Sequence, residues 1–259
     1  MFGAGSPPTP VIGIVYAIML TFVAAFLWKT GRFTARIRGV LLASTVILGF
    51  ATFSPMIPHQ FQALLIGLGT PAGTILFAGL AGLSLFALLA FLFGRHFCGY
   101  LCPIGAVQEA AYLIPVRKIR LPGNPVMSGI RGAVFLVIVF AAVVYKIAVL
   151  DLSGFQDFFG LTLSAPLFAF LLILAVGAVF YRPFCRLICP VAVILQIAAL
   201  GARWKIRRTD ACIRCGRCEK ACPTDEAKAG DLRSECYLCR RCLEVCPVEG
   251  ALYYGGKKD

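Results

Sequence analysis

Charge is scarce in this sequence. Only 14% of its 259 residues are Asp, Glu, Lys or Arg and 59% are hydrophobic, with a mean hydropathy of +0.85. That scarcity excludes an ordinary soluble globular domain and points to a membrane protein with a modest polar appendage. Histidine is scarcer still. The two present, His59 and His96, argue against bis-histidine haem, and no Cys-x2-Cys-His run supports c-type haem attachment. The apolar runs hold almost no ionisable residues, which counts against a transporter's substrate path. No basic segment precedes the first apolar run and position 2 is Phe, so neither a secretory signal peptide nor N-myristoylation is expected. No cysteine occurs before Cys98.

What is present begins with apolar runs at about 10–28, 40–53, 74–93, 132–150 and 161–181. A span needs about 17–25 mostly apolar residues, so the second is the shortest fit. Basic residues follow the first run (Lys29, Arg32, Arg36, Arg38), separate the third from the fourth (Arg95, Arg117, Lys118, Arg120, Arg131) and follow the fifth. Segments 1–9, 54–73 and 151–160 carry no Lys or Arg. This asymmetry predicts five transmembrane helices, with the N-terminus outside and the C-terminus in the cytoplasm of a prokaryotic inner membrane. It also accounts for the formal charge of +13 without any nucleic-acid partner. Lys146, near an outer end, reads as snorkelling to the interface, or as a contact for a quinone head group or an outer acidic partner.

Twelve cysteines facing a reducing compartment point to metal ligation rather than disulfides. Cys98 and Cys102 precede Pro103 in "FCGYLCP"; Cys185 and Cys189 precede Pro190 in "FCRLICP". Residues 93–120 and 180–207 align without gaps, with 11 of 28 positions identical. Such internal repeats commonly place function between copies. If each motif continues its helix, the paired cysteines share a face at i and i+4, and four thiolates from two hairpins converge on one site. An iron–sulfur cluster, of either the [2Fe–2S] or the [4Fe–4S] type, is the favoured occupant there. Four thiolates also suit zinc, and spacing is compatible as well with two pairs that never meet.

From about residue 201 the chain turns polar and basic. Within 201–259, Cys212, Cys215, Cys218 and Cys222 form C-x2-C-x2-C-x3-C before Pro223; Cys236, Cys239, Cys242 and Cys246 repeat it before Pro247. This resembles the bacterial two-cluster ferredoxins. The resemblance implies a small α+β domain with two [4Fe-4S] clusters, in which each fourth cysteine crosses over. One cluster takes Cys212, Cys215, Cys218 and Cys246, and the other Cys236, Cys239, Cys242 and Cys222. No cysteine is left for a catalytic thiol.

The paired Cys-x3-Cys-Pro motifs with a two-cluster tail are similar to a group of polytopic membrane iron–sulfur proteins. It includes the quinol dehydrogenase membrane subunit of periplasmic nitrate reductase systems and a methylamine-utilisation subunit. The nitrous-oxide reductase maturation protein and the cytochrome oxidase accessory ferredoxin belong to the wider group. The resemblance implies an α-helical membrane domain (1–200) and a ferredoxin domain (201–259). It implies a non-autonomous oxidoreductase subunit that relays electrons between cytoplasmic-side clusters, a membrane-face site of four cysteines and a quinone or membrane partner. Expected partners are lipid, other redox subunits and an acidic soluble carrier. The alternative is an accessory factor for metal-centre maturation or redox sensing. His59, Gln60, Asp151 and Asp157 are candidate outer proton acceptors for a quinol, or ordinary loop residues; His96 lies beside Cys98 at the inner face.

Overall fold

Within the apolar runs the backbone N–H and C=O groups pair with one another in helices, as buried backbone groups must. The computed structural model describes residues 9–52, 57–67, 73–119, 124–228 and 230–256. Its long helices are α1 (Thr9–Lys29), α2 (Ala35–Thr52), α4 (Gly73–Phe93), α6 (Asn124–Val144) and α8 (Ala165–Val179). Among the described residues one segment, Val126–Val144, is long and apolar enough to cross a bilayer by length and composition.

Helix α3 (Ile57–Gly67) occupies a segment read from the sequence as a connection. Phe61, Leu64 and Leu65 bury one of its faces at helical spacing, and it packs on α4 and α6.

Each cysteine pair joins a long helix to a short one. A π-helical turn, Phe97–Leu101, leads into α5 (Pro103–Tyr112), and a second, Phe184–Ile188, leads into α9 (Pro190–Leu200). Neither motif continues its helix, which corrects the sequence expectation. Cys102 and Cys189 are extended, with φ/ψ of −84/118° and −65/114°. The cause is the following proline, whose ring clashes with an α-helical residue before it. The same prolines sit at N1 of the next helix, where no amide is missed.

The repeats then exchange partners. Helix α4, entering the first motif, packs on α9 leaving the second, and α5 packs on α8. This crossed packing draws the two motifs together. A 3₁₀ turn (Val149–Ser153) leads into α7 (Phe155–Gly160), and α7 lies against the motifs: Phe155 packs edge-on to Phe184 at 5.9 Å, and Phe159 and Pro103 both flank Gly49.

In the C-terminal part, β1 (Lys205–Arg208) pairs antiparallel with β2 (Leu252–Gly255), in register from Lys205 with Gly255 to Arg208 with Leu252. Between them α10 (Arg217–Ala221) and α11 (Arg241–Glu244) pack together. This part is docked, not merely tethered. Arg203 N and Trp204 N donate to Phe91 O and Leu92 O, both at 3.0 Å, and the Tyr254 hydroxyl donates to Phe93 O at 2.7 Å.

Candidate metal centres

Cys98, Cys102, Cys185 and Cys189 line one cavity, closed by Phe97, Phe184, Pro58, Val191 and Ala192. All four are buried, at 5–9% exposure. Cys102 and Cys189 are the N-cap residues of α5 and α9, where unpaired amides and the helix dipole favour an anion. Burial pushes the Cys102 thiol well above its ordinary value, as do Cys185 and Cys98; the amides of Gly105 and Ile104 pull the other way. Burial raises Cys185 to about 11, against which Arg182 lowers it. Left alone, the Cys102 and Cys185 thiols stay protonated, and a bound metal supplies the positive charge that ionises such groups. Across the repeat, Gln108 of α5 donates to Cys185 Sγ at 3.3 Å and accepts from the Phe184 amide at 3.0 Å.

The first C-terminal run behaves differently. Cys212, Cys215, Cys218 and Cys246 line a second cavity beside Pro247 and Arg208. Cys215 is exposed there, and Arg208 Nη2 lies 3.5 Å from Cys218 Sγ. A third cavity is lined by Cys222, Cys236, Cys239 and Cys242, with Tyr181, Tyr237 and Arg233. At its wall burial raises the Glu226 carboxyl to about 7, and the Glu226 amide donates to Cys222 Sγ at 3.3 Å. In both runs the residues two and four after the first cysteine are left-handed: Arg214 and Gly216, then Leu238 and Arg240, at φ of 52°, 70°, 55° and 69°. Three of these are not glycine, an uncommon choice. The repeated pair curls each loop around its cavity.

Among the described residues, no three His, Cys, Asp or Glu side chains close to the spacing of a single ion's ligands. In each cavity the thiols stand around the wall. That donor set, four thiols lining one cavity, fits an iron–sulfur cluster.

The segment Glu235–Cys236–Tyr237 links the Cys236 cavity to the surroundings of the Cys98 site. Tyr237 is 2% exposed, and its ring lies between the Arg95 and Arg182 guanidiniums, at 4.4 and 4.9 Å. These arginines occupy equivalent places in the two repeats. Arg95 Nη2 reaches to 3.8 Å from Cys98 Sγ, and Arg182 donates to the carbonyls of Cys98 and Gly99. Glu109 pairs with Arg182 at 3.0 Å and Arg241 at 2.6 Å. Burial raises its carboxyl, but the two guanidiniums outweigh burial and hold it at about 2. Glu235 pairs with Arg131 at 2.5 Å and Arg186 at 3.5 Å. Sequence reasoning missed Gln108, Glu109, Glu235 and Tyr237; the Arg95–Arg182 match in the repeat was the signal available.

The outer candidates do not gather. Asp151 accepts from Gln62 at 3.0 Å and from Gln156 at 2.6 Å. Asp157 accepts from Thr162 at 2.8 Å. His59 and Gln60 lie on α3, and Lys146 is exposed. His96 is fully buried between Tyr254 and Tyr100, and burial holds its imidazole neutral, at about 3.

A family model described as a 4Fe-4S binding domain matches this chain twice, over residues 75–122 and 162–208, one match on each repeat. A second model, also described as a 4Fe-4S binding domain, matches residues 206–225. The chain therefore carries iron–sulfur-binding domains of ferredoxin type. It is 33% identical over 52% of its length to an uncharacterised protein of Methanocaldococcus jannaschii, of which it covers 54%. It is 30% identical over 70% of its length to the methylamine utilization ferredoxin-type protein MauN of Methylorubrum extorquens, covering 63% of that protein. It is 31% identical over 76% of its length to protein NirI of Paracoccus denitrificans, covering 31%. No solved structure matches.

Proposed function

We propose that this chain is a membrane-bound electron-transfer subunit of a respiratory redox complex, with three iron–sulfur sites on the cytoplasmic side. Two would be [4Fe-4S] sites, on Cys212, Cys215, Cys218 and Cys246, and on Cys236, Cys239, Cys242 and Cys222. The third is shared by the repeats through Cys98, Cys102, Cys185 and Cys189. Bound there, clusters would supply one-electron storage and transfer.

The observation that carries this reading is the graded arrangement of the three thiol-lined cavities. The Cys212 cavity opens at the surface beside exposed Cys215 and Ile213. Around the Cys236 cavity Cys222, Cys236 and Cys239 are half-buried and Cys242 is buried, and all four cysteines of the Cys98 cavity are buried. A soluble, acidic carrier would meet the first, and a quinone or another membrane partner the last. Membrane residence is supported by the apolar helix surfaces left outward: Met19, Phe26, Ile47, Leu136, Phe168 and Leu172 are each more than 60% exposed. Such faces are stable against lipid and not against water. The distribution of Lys and Arg supports an outside N-terminus and an inside tail.

Iron and acid-labile sulfide should be measured in the anaerobically purified chain, with Cys98→Ser and Cys185→Ser beside it. The expected result is loss of the same single cluster in both variants, the other two being retained. Full iron in either variant, or zinc without sulfide in the wild type, defeats the shared site. Rapid reduction of the sites by added quinol would favour respiratory turnover; a response only to a low-potential cytoplasmic donor would overturn it in favour of an accessory role.

A further inference from the structure

The arginines around the repeat cavity are not balanced by carboxylates. Four guanidiniums, of Arg95, Arg131, Arg182 and Arg186, are no more than 2% exposed, and Glu109 and Glu235 are the two carboxylates buried as deeply among the described residues. A surplus of two buried positive charges would be costly without an anion to meet it. The surplus falls chiefly on Arg95. Its repeat mate Arg182 pairs with Glu109, while Arg131 and Arg186 share Glu235. Arg95 forms no ion pair with any described carboxylate, and its Nε and Nη1 have no hydrogen-bond partner. Its near contacts are the Tyr237 ring and Cys98 Sγ. Four thiolates around a cation of charge two carry a net charge of minus two, which matches the surplus.

We propose that Arg95 is the counter-charge of the four-thiolate site, and that it raises the reduction potential of the cluster held there. The inference rests on the shared-site reading above and adds a role that reading does not require. One-electron reduction places one more negative charge at the site. A fixed guanidinium within reach of a ligand sulfur favours that state more than the oxidised one, and charge and hydrogen bonds to sulfur are levers that set such potentials. Tyr237 holds the guanidinium on one side, so Arg95 acts as a positioning residue and touches no substrate.

The test is an EPR-monitored redox titration of the anaerobically purified full chain in detergent, with iron and sulfide content measured alongside. The transition abolished by Cys98→Ser identifies the repeat site; a wild type lacking that third transition refutes the shared site itself, whatever Arg95 does. Given the transition, Arg95→Gln is expected to move its midpoint negative, leaving the other two unmoved, and Arg95→Lys to restore most of the wild-type value. An unmoved midpoint in a fully loaded Arg95→Gln protein overturns the counter-charge role, as does an equal shift of all three. Should Arg95→Gln lose the cluster, retention by Arg95→Lys upholds a charge requirement, and loss in both overturns it.

Discussion

Gly99 faces the carbonyl of Tyr237 so closely that a methyl group has no room. An ideal Cβ there would stand 2.5 Å from Tyr237 O, against an ordinary contact of at least 3.4 Å. The obstacle is backbone, so no rotamer change relieves it. The Tyr237 backbone is itself held: the Tyr100 hydroxyl donates to Leu238 O, Arg38 donates to Cys239 O at 2.5 Å, and the Tyr237 ring is wedged between two arginines. Overpacking of this kind costs about 1–3 kcal/mol. Alanine would return at most about 1 kcal/mol through lower backbone entropy, so Gly99→Ala is a net loss. The loop that moves carries Cys236, so the damage should reach the clusters as well as stability. The comparison is Gly82→Ala on α4, where a Cβ meets nothing within 4 Å. Thermal unfolding in detergent, with iron content followed in parallel, should show Gly99→Ala unfolding earlier and losing iron, and Gly82→Ala close to wild type. Equal behaviour of the two variants would refute the tight docking of Tyr237 against the first repeat.

The crossed ligand pattern predicts that Cys246→Ser and Cys212→Ser remove the same EPR signal, while Cys222→Ser and Cys236→Ser remove a different one; a shared loss between Cys222→Ser and Cys212→Ser would contradict it. Glu109→Gln strands two guanidiniums and should destabilise the chain by about 3–5 kcal/mol in denaturant melts. Because the folded carboxyl is held at about 2 against an ordinary 4.5, its stabilisation, on the order of 3 kcal/mol, is present above pH 4.5. It is lost as pH falls toward 2, so the gap between wild type and Glu109→Gln should narrow across that window. A gap that widened with acid would overturn the pairing. In sealed inside-out vesicles, protease should release the C-terminal segment, and in right-side-out vesicles it should not; the reverse pattern would invert the proposed orientation.

Cysteine spacing and the repeat were legible because both are local patterns in the chain. Ligands two or three residues apart declare a site without any knowledge of the fold, and the shared Arg95 and Arg182 could be read from the alignment alone. The crossed packing of α4 on α9 and α5 on α8 was not legible, since it depends on contacts between distant segments. The partners of Glu109, Glu235 and Tyr237 follow from that packing and were hidden with it. The break at Cys102 and Cys189 is another matter. The following prolines announce it by a rule that acts on adjacent residues, and the expectation of a continuous helix overlooked that rule. Likewise Phe61, Leu64 and Leu65 carried the helical period of α3, in a segment weighed for its lack of basic residues and for His59 and Gln60 but not for its periodicity.

Where the two repeats differ is as informative as where they agree. The cradle formed by Arg95 and Arg182, Phe97 and Phe184, and the four cysteines is matched in both copies. The segment that plugs it, Glu235–Cys236–Tyr237, has no internal symmetry, so its two sides need different complements. Gly99 leaves room for the Tyr237 carbonyl, while its counterpart Arg186 reaches Glu235. Glu109 meets Arg182 and Arg241, while its counterpart Gln196 accepts from Arg131. Restoring symmetry should therefore damage the docking more than the cradle. Glu109 exchanged for the glutamine of the second copy leaves Arg182 and Arg241 without their shared carboxylate. A bulky residue at Gly99, like that of the second copy, drives the plug out. The repeat built the thiol site, and its departures from repetition are what bind the C-terminal segment against it.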